Sequence, residues 1–131
     1  MGKAAAKQGD RVVGTDVHVV LVPSSGGPVP TPMSLPFSAT ITESCSTTVL
    51  IEGKPAAVAG SGTVNQPPHV APSGRFAKEP ANRGKVLLGS PTVLVDGKPA
   101  ARAGDRVLTC NDPADVPVGV VQATSTVLIG P

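Results

Sequence analysis

The chain has 131 residues, a formal net charge of +2, two Phe residues and neither Trp nor Tyr. This length suits a single domain, and the weak charge and scarcity of aromatic residues disfavour nucleic-acid binding, which needs basic patches and stacking platforms. Fifteen Gly and fifteen Pro residues interrupt short aliphatic runs, so the composition predicts compact, turn-rich β structure rather than disorder.

The amino-terminal segment, residues 2–10, is half of a sequence unit that occurs twice in full later in the chain. Residues 46–60 and 90–104 align without a gap, and each contains an aliphatic run, an acidic-Gly pair and the sequence Lys-Pro-Ala-Ala. Residues 124–130 match the first half of this unit, and residues 2–10 match the second half. A unit divided between the two termini predicts an all-β ring of three β-hairpin units with pseudo-threefold symmetry, closed by pairing of the first and last strands.

Each full copy centres on a predicted tight turn. Glu52-Gly53 and Asp96-Gly97 follow β-branched runs, and such acidic-Gly pairs favour type I′ turns of two-residue hairpins. Between the copies, residues 10–43, 61–88 and 105–122 are predicted to be long irregular loops, and no window predicts a helix. The Pro-rich stretch 23–37 predicts an extended path. It is either a surface connection or a segment that covers the ring or contacts a partner.

His18 and His69 occupy equivalent positions, because each follows its repeat glycine, Gly9 or Gly60, at the same distance. Equivalent inward side chains converge near a threefold axis, and Cys110 falls at a similar place in the third unit. We therefore predict a structural Zn²⁺ site on His18, His69 and Cys110. Cys45 is the candidate fourth ligand, with Asp112, Asp16 or water as alternatives; its competing interpretation is a small buried apolar residue, as is common for a Cys before a strand.

The competing interpretations of this site are ordinary loop residues and, for the two cysteines, a Cys45–Cys110 disulfide. We expect a metal because Pro- and Gly-rich loops bury little apolar area, so an ion can hold segments of all three units together. No apolar run is long enough to cross a membrane, and the amino terminus does not resemble a secretory signal. The sequence therefore predicts synthesis in the cytoplasm, where thiols stay reduced.

The sequence Pro99-Ala100-Ala101-Arg102, with degenerate copies at 55–58 and 4–7, resembles the PAAR (proline-alanine-alanine-arginine) repeat family. The resemblance implies a conical single domain over residues 1–131, in the PAAR-like branch with enlarged loops. It also implies a zinc ion near the vertex and a place on the trimeric spike of a contractile injection machine, such as type VI secretion, a phage tail or an extracellular particle.

The function so implied is structural rather than enzymatic. We expect one tip to cap and sharpen each homotrimeric spike, to contact the target membrane transiently, and to leave the cell with the spike. A second hypothesis is an adaptor that docks toxin cargo, although a repeat that runs to Pro131 predicts no appended effector domain. A third is a small metallohydrolase, which would need an open coordination position and a nearby base that the motifs do not provide.

Overall fold

The computed structural model describes residues 2–130, so Met1 and Pro131 of the predicted 1–131 domain lie outside the described residues. The described part is all-β. Its strands, in chain order, are β1 (Lys3–Ala4), β2 (Arg11–Val22), β3 (Val29–Glu43), β4 (Leu50–Ile51), β5 (Lys54–Pro55), β6 (Gly62–Asn65), β7 (Arg75–Phe76), β8 (Arg83–Val86), β9 (Leu94–Val95), β10 (Lys98–Pro99), β11 (Arg106–Thr109), β12 (Val116–Gln122) and β13 (Leu128–Ile129).

Three equivalent short pairs form one end of the molecule, which we call the base. They are β4–β5, β9–β10 and β1–β13, and the last joins Lys3 to Ile129 across the two chain ends. In the two continuous hairpins the turn residues have positive φ, 51° and 83° at Glu52 and Gly53, as a type I′ turn requires. The predicted pairing of the first and last strands is confirmed.

The three units meet through a cycle of backbone hydrogen bonds between the central alanines of the repeat. Ala6 N donates to Ala101 O, Ala101 N donates to Ala57 O, and Ala57 N donates to Ala6 O, each at 3.0 Å. All three residues are buried in the same core cluster. Only a small side chain fits where three backbones approach this closely. This explains why all three units have alanine at this position.

The residue after each central alanine bridges to the next unit, and the three bridges are Lys7↔Ala56, Val58↔Ala100 and Arg102↔Ala5. Each of these bridging residues is also capped from three positions ahead. The backbone N–H groups of Lys7, Val58 and Arg102 donate to side-chain oxygens of Asp10, Ser61 and Asp105. The three units therefore share the same bridge and the same side-chain cap, and this repetition gives the fold its pseudo-threefold symmetry.

Above the base, six strands close into a second ring in the order β2, β3, β6, β8, β11, β12 and back to β2. It consists of three further hairpins, β2–β3, β6–β8 and β11–β12, one per unit. The prediction that residues 10–43, 61–88 and 105–122 are irregular loops was wrong, because these segments carry the longest strands. Their Pro residues lie at strand edges and in turns, where a missing N–H is tolerated.

Apolar side chains fill the interior in successive clusters. One cluster lies under the base hairpins, the main cluster surrounds Phe37, Ile41 and Val107, and a small third cluster contains Val20 and Phe76. Along β3 from Leu35 to Ile41, buried residues alternate with exposed or half-buried ones, as expected for a strand with one face on a core. No helix within residues 2–130 has the length and apolarity that crossing a membrane requires.

Candidate metal centre

Two of the candidate ligands come from one strand. Asp16 and His18 are separated by one residue on β2 and both are fully buried, since alternate residues of a strand point to the same face. His69 approaches from the connection between β6 and β7, and Cys110 directly follows β11. One potential ligand atom from each of these four residues lies within 4.8 Å of the other three. The three ring hairpins thus each contribute to a single buried cluster.

The imidazole of His18 is buried without normal hydrogen bonding. Neither ring nitrogen has a hydrogen-bond partner among the described residues, and the nearest carboxylate oxygens, of Asp112 and Asp16, are 3.7 and 3.9 Å away. Burial and the neighbouring His69 lower the pKa of His18, against the opposing effects of the two carboxylates and the Cys110 backbone. A buried ring nitrogen without a hydrogen-bond partner costs free energy of folding. A neutral imidazole can instead bind a metal ion, so His18 has the properties of a metal ligand.

The thiol of Cys110 lies beside a carboxylate in the same enclosure. Its Sγ is 3.5 Å from Oδ2 of Asp16, and burial, then the charge of Asp16, raises the pKa of Cys110 to about 11. The thiol is therefore protonated at neutral pH without a metal. A metal ion would have to displace this proton, because the thiolate is the coordinating form.

The carboxylate of Asp16 is held in a fixed orientation. Its Oδ1 accepts hydrogen bonds from Thr109 Oγ1 and from Asn111 Nδ2, the latter at 3.2 Å. Its Oδ2 faces the other ligands and lies 2.8 Å from Nε2 of His69. Asn111 is itself fixed, since its Oδ1 accepts a 2.7 Å bond from the N–H of Val17 on β2. Such outer hydrogen bonds orient a carboxylate toward a metal.

The structure brings His18, His69 and Cys110 together and places Asp16 with them. Cys45, the candidate fourth ligand, is outside this group of described residues; its thiol lies 3.8 Å from the Glu43 carbonyl and packs against the main cluster. Burial raises the pKa of Cys45, so it acts as a small apolar residue. Both cysteines are free thiols, so the alternative disulfide is not formed.

Asp16 had been weighed only as an alternative, yet its spacing from His18 on an alternating strand was the signal that it belongs to the cluster. Asp112, the other carboxylate alternative, instead accepts a 2.8 Å hydrogen bond from Val19 N. The positioning residues Thr109 and Asn111 had no signal in the sequence, because their role depends on how β11 lies against β2.

The donor set suits a metal ion that accepts mixed ligands. Two imidazole nitrogens, one thiolate and one carboxylate oxygen are all groups that bind Zn²⁺, and four protein ligands without an open position are typical of structural sites. The buried, unpaired ring of His18 shows that the residues fit a metal. When bound, the ion would supply cross-linking of the three units rather than a reactive water.

A protein-family model matches the last part of the chain. The family model described as PAAR motif matches residues 77–131. The chain carries a PAAR motif. The matched PAAR region contains the complete third unit and Cys110, while the other three residues of the cluster come from the earlier part of the chain. No curated protein matches the sequence.

The PAAR motif agrees with the three-unit closure, and together they support the PAAR-repeat family for the chain. This family has a spike-tip role in contractile injection systems in general and associates with a spike protein; its members are structural rather than enzymatic. The buried cluster could hold a metal, as PAAR proteins do.

Proposed function

We propose that this protein caps the trimeric spike of a contractile injection machine, with one tip per spike trimer, and helps the spike pierce the target membrane. A spike of three identical chains ends in a threefold surface with strand edges, and one chain with three internal units can meet all three at once. The protein would be made and assembled in the cytoplasm and would leave the cell with the spike.

The observation that carries this proposal is a threefold set of exposed leucines on the base. Leu50, Leu94 and Leu128 occupy the same position in the three base hairpins, and their exposed fractions are 60, 62 and 64%. One exposed leucine needs no explanation. Three at equivalent positions, with nearly equal exposure, form an apolar surface whose symmetry fits a partner with three equal binding sites.

Charge on the base hairpins also follows the threefold pattern. Lys3, Lys54 and Lys98 are equivalent and exposed. The two acidic turn residues are engaged within the molecule: Glu52 accepts hydrogen bonds from Thr126, and Asp96 accepts them from Ser46 and Thr48. The three lysines lie opposite the buried Ile129, Ile51 and Val95, so they are not on the face of the three leucines. The spike surface that meets the leucines would therefore offer an apolar contact from each chain.

We assign the metal cluster a mechanical role in this function, with Zn²⁺ as the ion. The four cluster residues come from all three ring hairpins, so a single ion would connect the three units above the main core. A tip that is driven against a membrane by sheath contraction concentrates load only if its units do not separate. A structural ion resists separation because its binding energy is available only to the folded arrangement.

The test replaces the three base leucines by aspartate, as Leu50→Asp, Leu94→Asp and Leu128→Asp in one chain. We expect the triple variant to fold and to lose binding to the spike trimer, because three charges would face apolar contacts. Leu88→Asp is the matched control, since Leu88 is also 64% exposed but lies outside the threefold set. Light scattering of the mixture should give one tip per three spike chains for the wild type and the control. Three tips per trimer, or full binding by the triple variant, would refute the proposal.

Docking of effector cargo is the second candidate, and an asymmetric feature favours it. Gly9, Gly60 and Gly104 donate to the carbonyls of Ile41, Val86 and Val121, which sets the equivalence of the units. After Val86 come the exposed Leu87 and Leu88, while the other two units have Thr-Glu and Gln-Ala there. A partner bound on one flank could use this pair. Loss of effector co-purification in Leu88→Asp, with spike binding kept, would support it; unchanged co-purification would count against it.

A further inference from the structure

One hairpin extends well beyond the ring of six strands. β12 pairs with β2 only over Arg11–Val13, and β6 pairs with β3 only from Ala39 onward. The β2–β3 pairing nevertheless continues without interruption to Val22↔Val29. The metal cluster is therefore not the end of the molecule, since β2 runs on past His18. At ~3.3 Å per residue, the part from Val19 to the turn is about 20 Å long.

The extending hairpin carries no formal charge. No Asp, Glu, Lys or Arg occurs from Val17 to Thr42, and the single ionisable group in that span, His18, is buried. Its turn is made of Pro, Ser and Gly, and Val29 beside the turn is 48% exposed. The span from Val17 to Thr42 is the longest run of the chain without these residue types, although residues 55–74 and 116–131 also contain none of them.

The outer edge of β2 is covered from Val17 to Leu21. The N–H groups of Val17 and Val19 donate to the side chains of Asn111 and Asp112, and Leu21 pairs with Arg75 of β7. These bonds also show that Val17 and Val19 point their amides away from β3. Backbone groups that would otherwise face solvent along this edge therefore have partners within the protein.

The outer edge of β3 differs, because proline residues there lack a backbone N–H donor. In an antiparallel pair, residues opposite Val17 and Val19 face outward as well; these are Ser34 and Pro32. Alternation places Pro30 and Pro36 on the same edge. Three of the four outward positions from 30 to 36 therefore lack an N–H altogether, and Ser34 is the one that keeps it.

This edge is protected by proline without any charged residue, and that combination indicates which solvent it meets. Proteins in water usually protect an open strand edge with charged residues, lysine above all, as well as with proline. A bilayer imposes two costs together, since an unpaired N–H and a formal charge are each expensive in hydrocarbon. An edge without donors and without charges avoids both costs. Protection against strand pairing in water explains the prolines but does not require that both strands of the hairpin lack charge.

We infer that the end of the β2–β3 hairpin, residues 19–32, is a lipid-contact point that enters the hydrocarbon region of a target bilayer. This inference rests on the proposed spike-tip function and names the element that meets the membrane. From Leu21 to the turn the hairpin is about 13 Å long at ~3.3 Å per residue, which is close to one leaflet of a hydrocarbon core that is ~30 Å thick. Arg75, opposite Leu21, limits the depth of an unforced contact, because its guanidinium can extend to the phosphate headgroups.

The absence of Trp provides a clean probe. Ser25→Trp places a single indole at the hairpin turn, and Gln122→Trp places one on the exposed surface of β12 as the control. With phosphatidylcholine vesicles, we expect a blue-shifted emission and protection from aqueous quenchers for Ser25→Trp only. No change at position 25, or an equal change at both positions, would overturn the inference.

Two further variants separate lipid contact from edge protection. Val29→Lys in the Ser25→Trp chain should lower vesicle binding about tenfold, because a cation is costly in hydrocarbon, whereas Gln122→Lys should not. Replacing Pro30, Pro32 and Pro36 by Ala restores three N–H groups and should also weaken vesicle binding. If the alanine variant only self-associates in buffer and binds vesicles as before, the prolines serve edge protection and the lipid assignment is lost.

The outcome can be told apart from that of the proposed function by measuring spike binding on the same preparations. Hairpin variants should bind the spike trimer normally, and the triple leucine variant should still show the vesicle response. Spike binding without any vesicle response defeats only the lipid inference. A vesicle response in a protein that does not bind the spike defeats only the capping proposal.

Discussion

Arg102 folds its guanidinium onto the carboxylate of Asp105, three residues further along the chain, in a pair that is buried at the junction of two units. Nη2 of Arg102 is 2.9 Å from Oδ1, while the backbone N–H of Arg102 donates to Oδ2 at 2.7 Å. The arginine of the PAAR sequence therefore has a structural partner within its own turn. In the second unit, Val58 and Ser61 occupy the same two positions without any charge.

The first prediction uses this natural difference between units. Arg102→Val should destabilise the protein by about 3–5 kcal/mol, because it leaves the Asp105 carboxylate buried without its counter-ion. The double variant Arg102→Val with Asp105→Ser recreates the Val58–Ser61 arrangement and should recover most of that loss. Denaturant unfolding of both variants measures the difference. A double variant no more stable than the single one would show that the ion pair is not what the carboxylate requires.

The second prediction concerns the alanine cycle. Ala101→Val should cost about 1–3 kcal/mol, because extra methyl groups must enter a closely packed junction of three backbones. Ala114→Val is the control, since Ala114 is exposed in the connection before β12. Thermal unfolding compares them. Equal melting temperatures for the two variants would mean that the junction has room that the backbone geometry does not suggest.

The repeat made the base predictable, while the upper ring was hidden from the sequence. The Glu52-Gly53 turn and the pairing of β1 with β13 follow from local patterns and from copying one unit three times. The β2–β3 hairpin was missed because Pro30, Pro32 and Pro36 are normally evidence against a strand. They are tolerated here since all three face an open edge, and edge position is a tertiary property that a local pattern does not reveal.

The metal cluster was predictable in part for a similar reason. His18 and His69 could be matched because the repeat fixed their register, so symmetry placed them together. The fourth member depends on the path of β2, where Asp16 and His18 share a face only if the segment is a strand. Because residues 10–43 were interpreted as a loop, Asp16 was only an alternative to the candidate Cys45. The place of Cys45 after β3 keeps it against the main core.

The third prediction is that metal removal loosens the fold. With Zn²⁺ at about one hundred times its Kd, the ion should add ~2.7 kcal/mol to stability. A chelator should therefore lower the melting temperature, and His18→Ala and Cys110→Ser should lower both metal content and stability. Cys45→Ser is the matched control and should keep one equivalent of metal by elemental analysis. Undiminished zinc in His18→Ala, or its loss in Cys45→Ser, would contradict the assignment of ligands.

The fourth prediction tests how Asp16 is oriented. Thr109→Val removes the hydroxyl that donates to Oδ1 but leaves all four candidate ligands in place. We expect metal affinity to fall by about 10–100-fold with the stoichiometry unchanged, as for other outer-shell changes. Competition with a chromogenic chelator measures the affinity. Thr109→Ser, which keeps a hydroxyl, should retain most of it; if serine and valine variants bind equally, the hydroxyl does not orient the carboxylate.

The fifth prediction is a pH dependence that arises between two units of the base. Hydrogen bonds from Ser46 and then Thr48 hold the pKa of Asp96 below its ordinary value of 3.8. The folded state therefore favours the carboxylate, so its contribution to stability is complete above pH 3.8 and is lost as the pH falls through the lowered pKa of the folded state. Asp96→Asn should melt below the wild type at neutral pH, and the gap should close in acid. In a Thr48→Val background, which lacks one donor, the difference in melting temperature caused by Asp96→Asn should be smaller. Thr47→Val leaves both donors in place, so the difference there should equal that in the wild type. A gap that stays constant from pH 7 into this acid range would show that the carboxylate charge does not join the units.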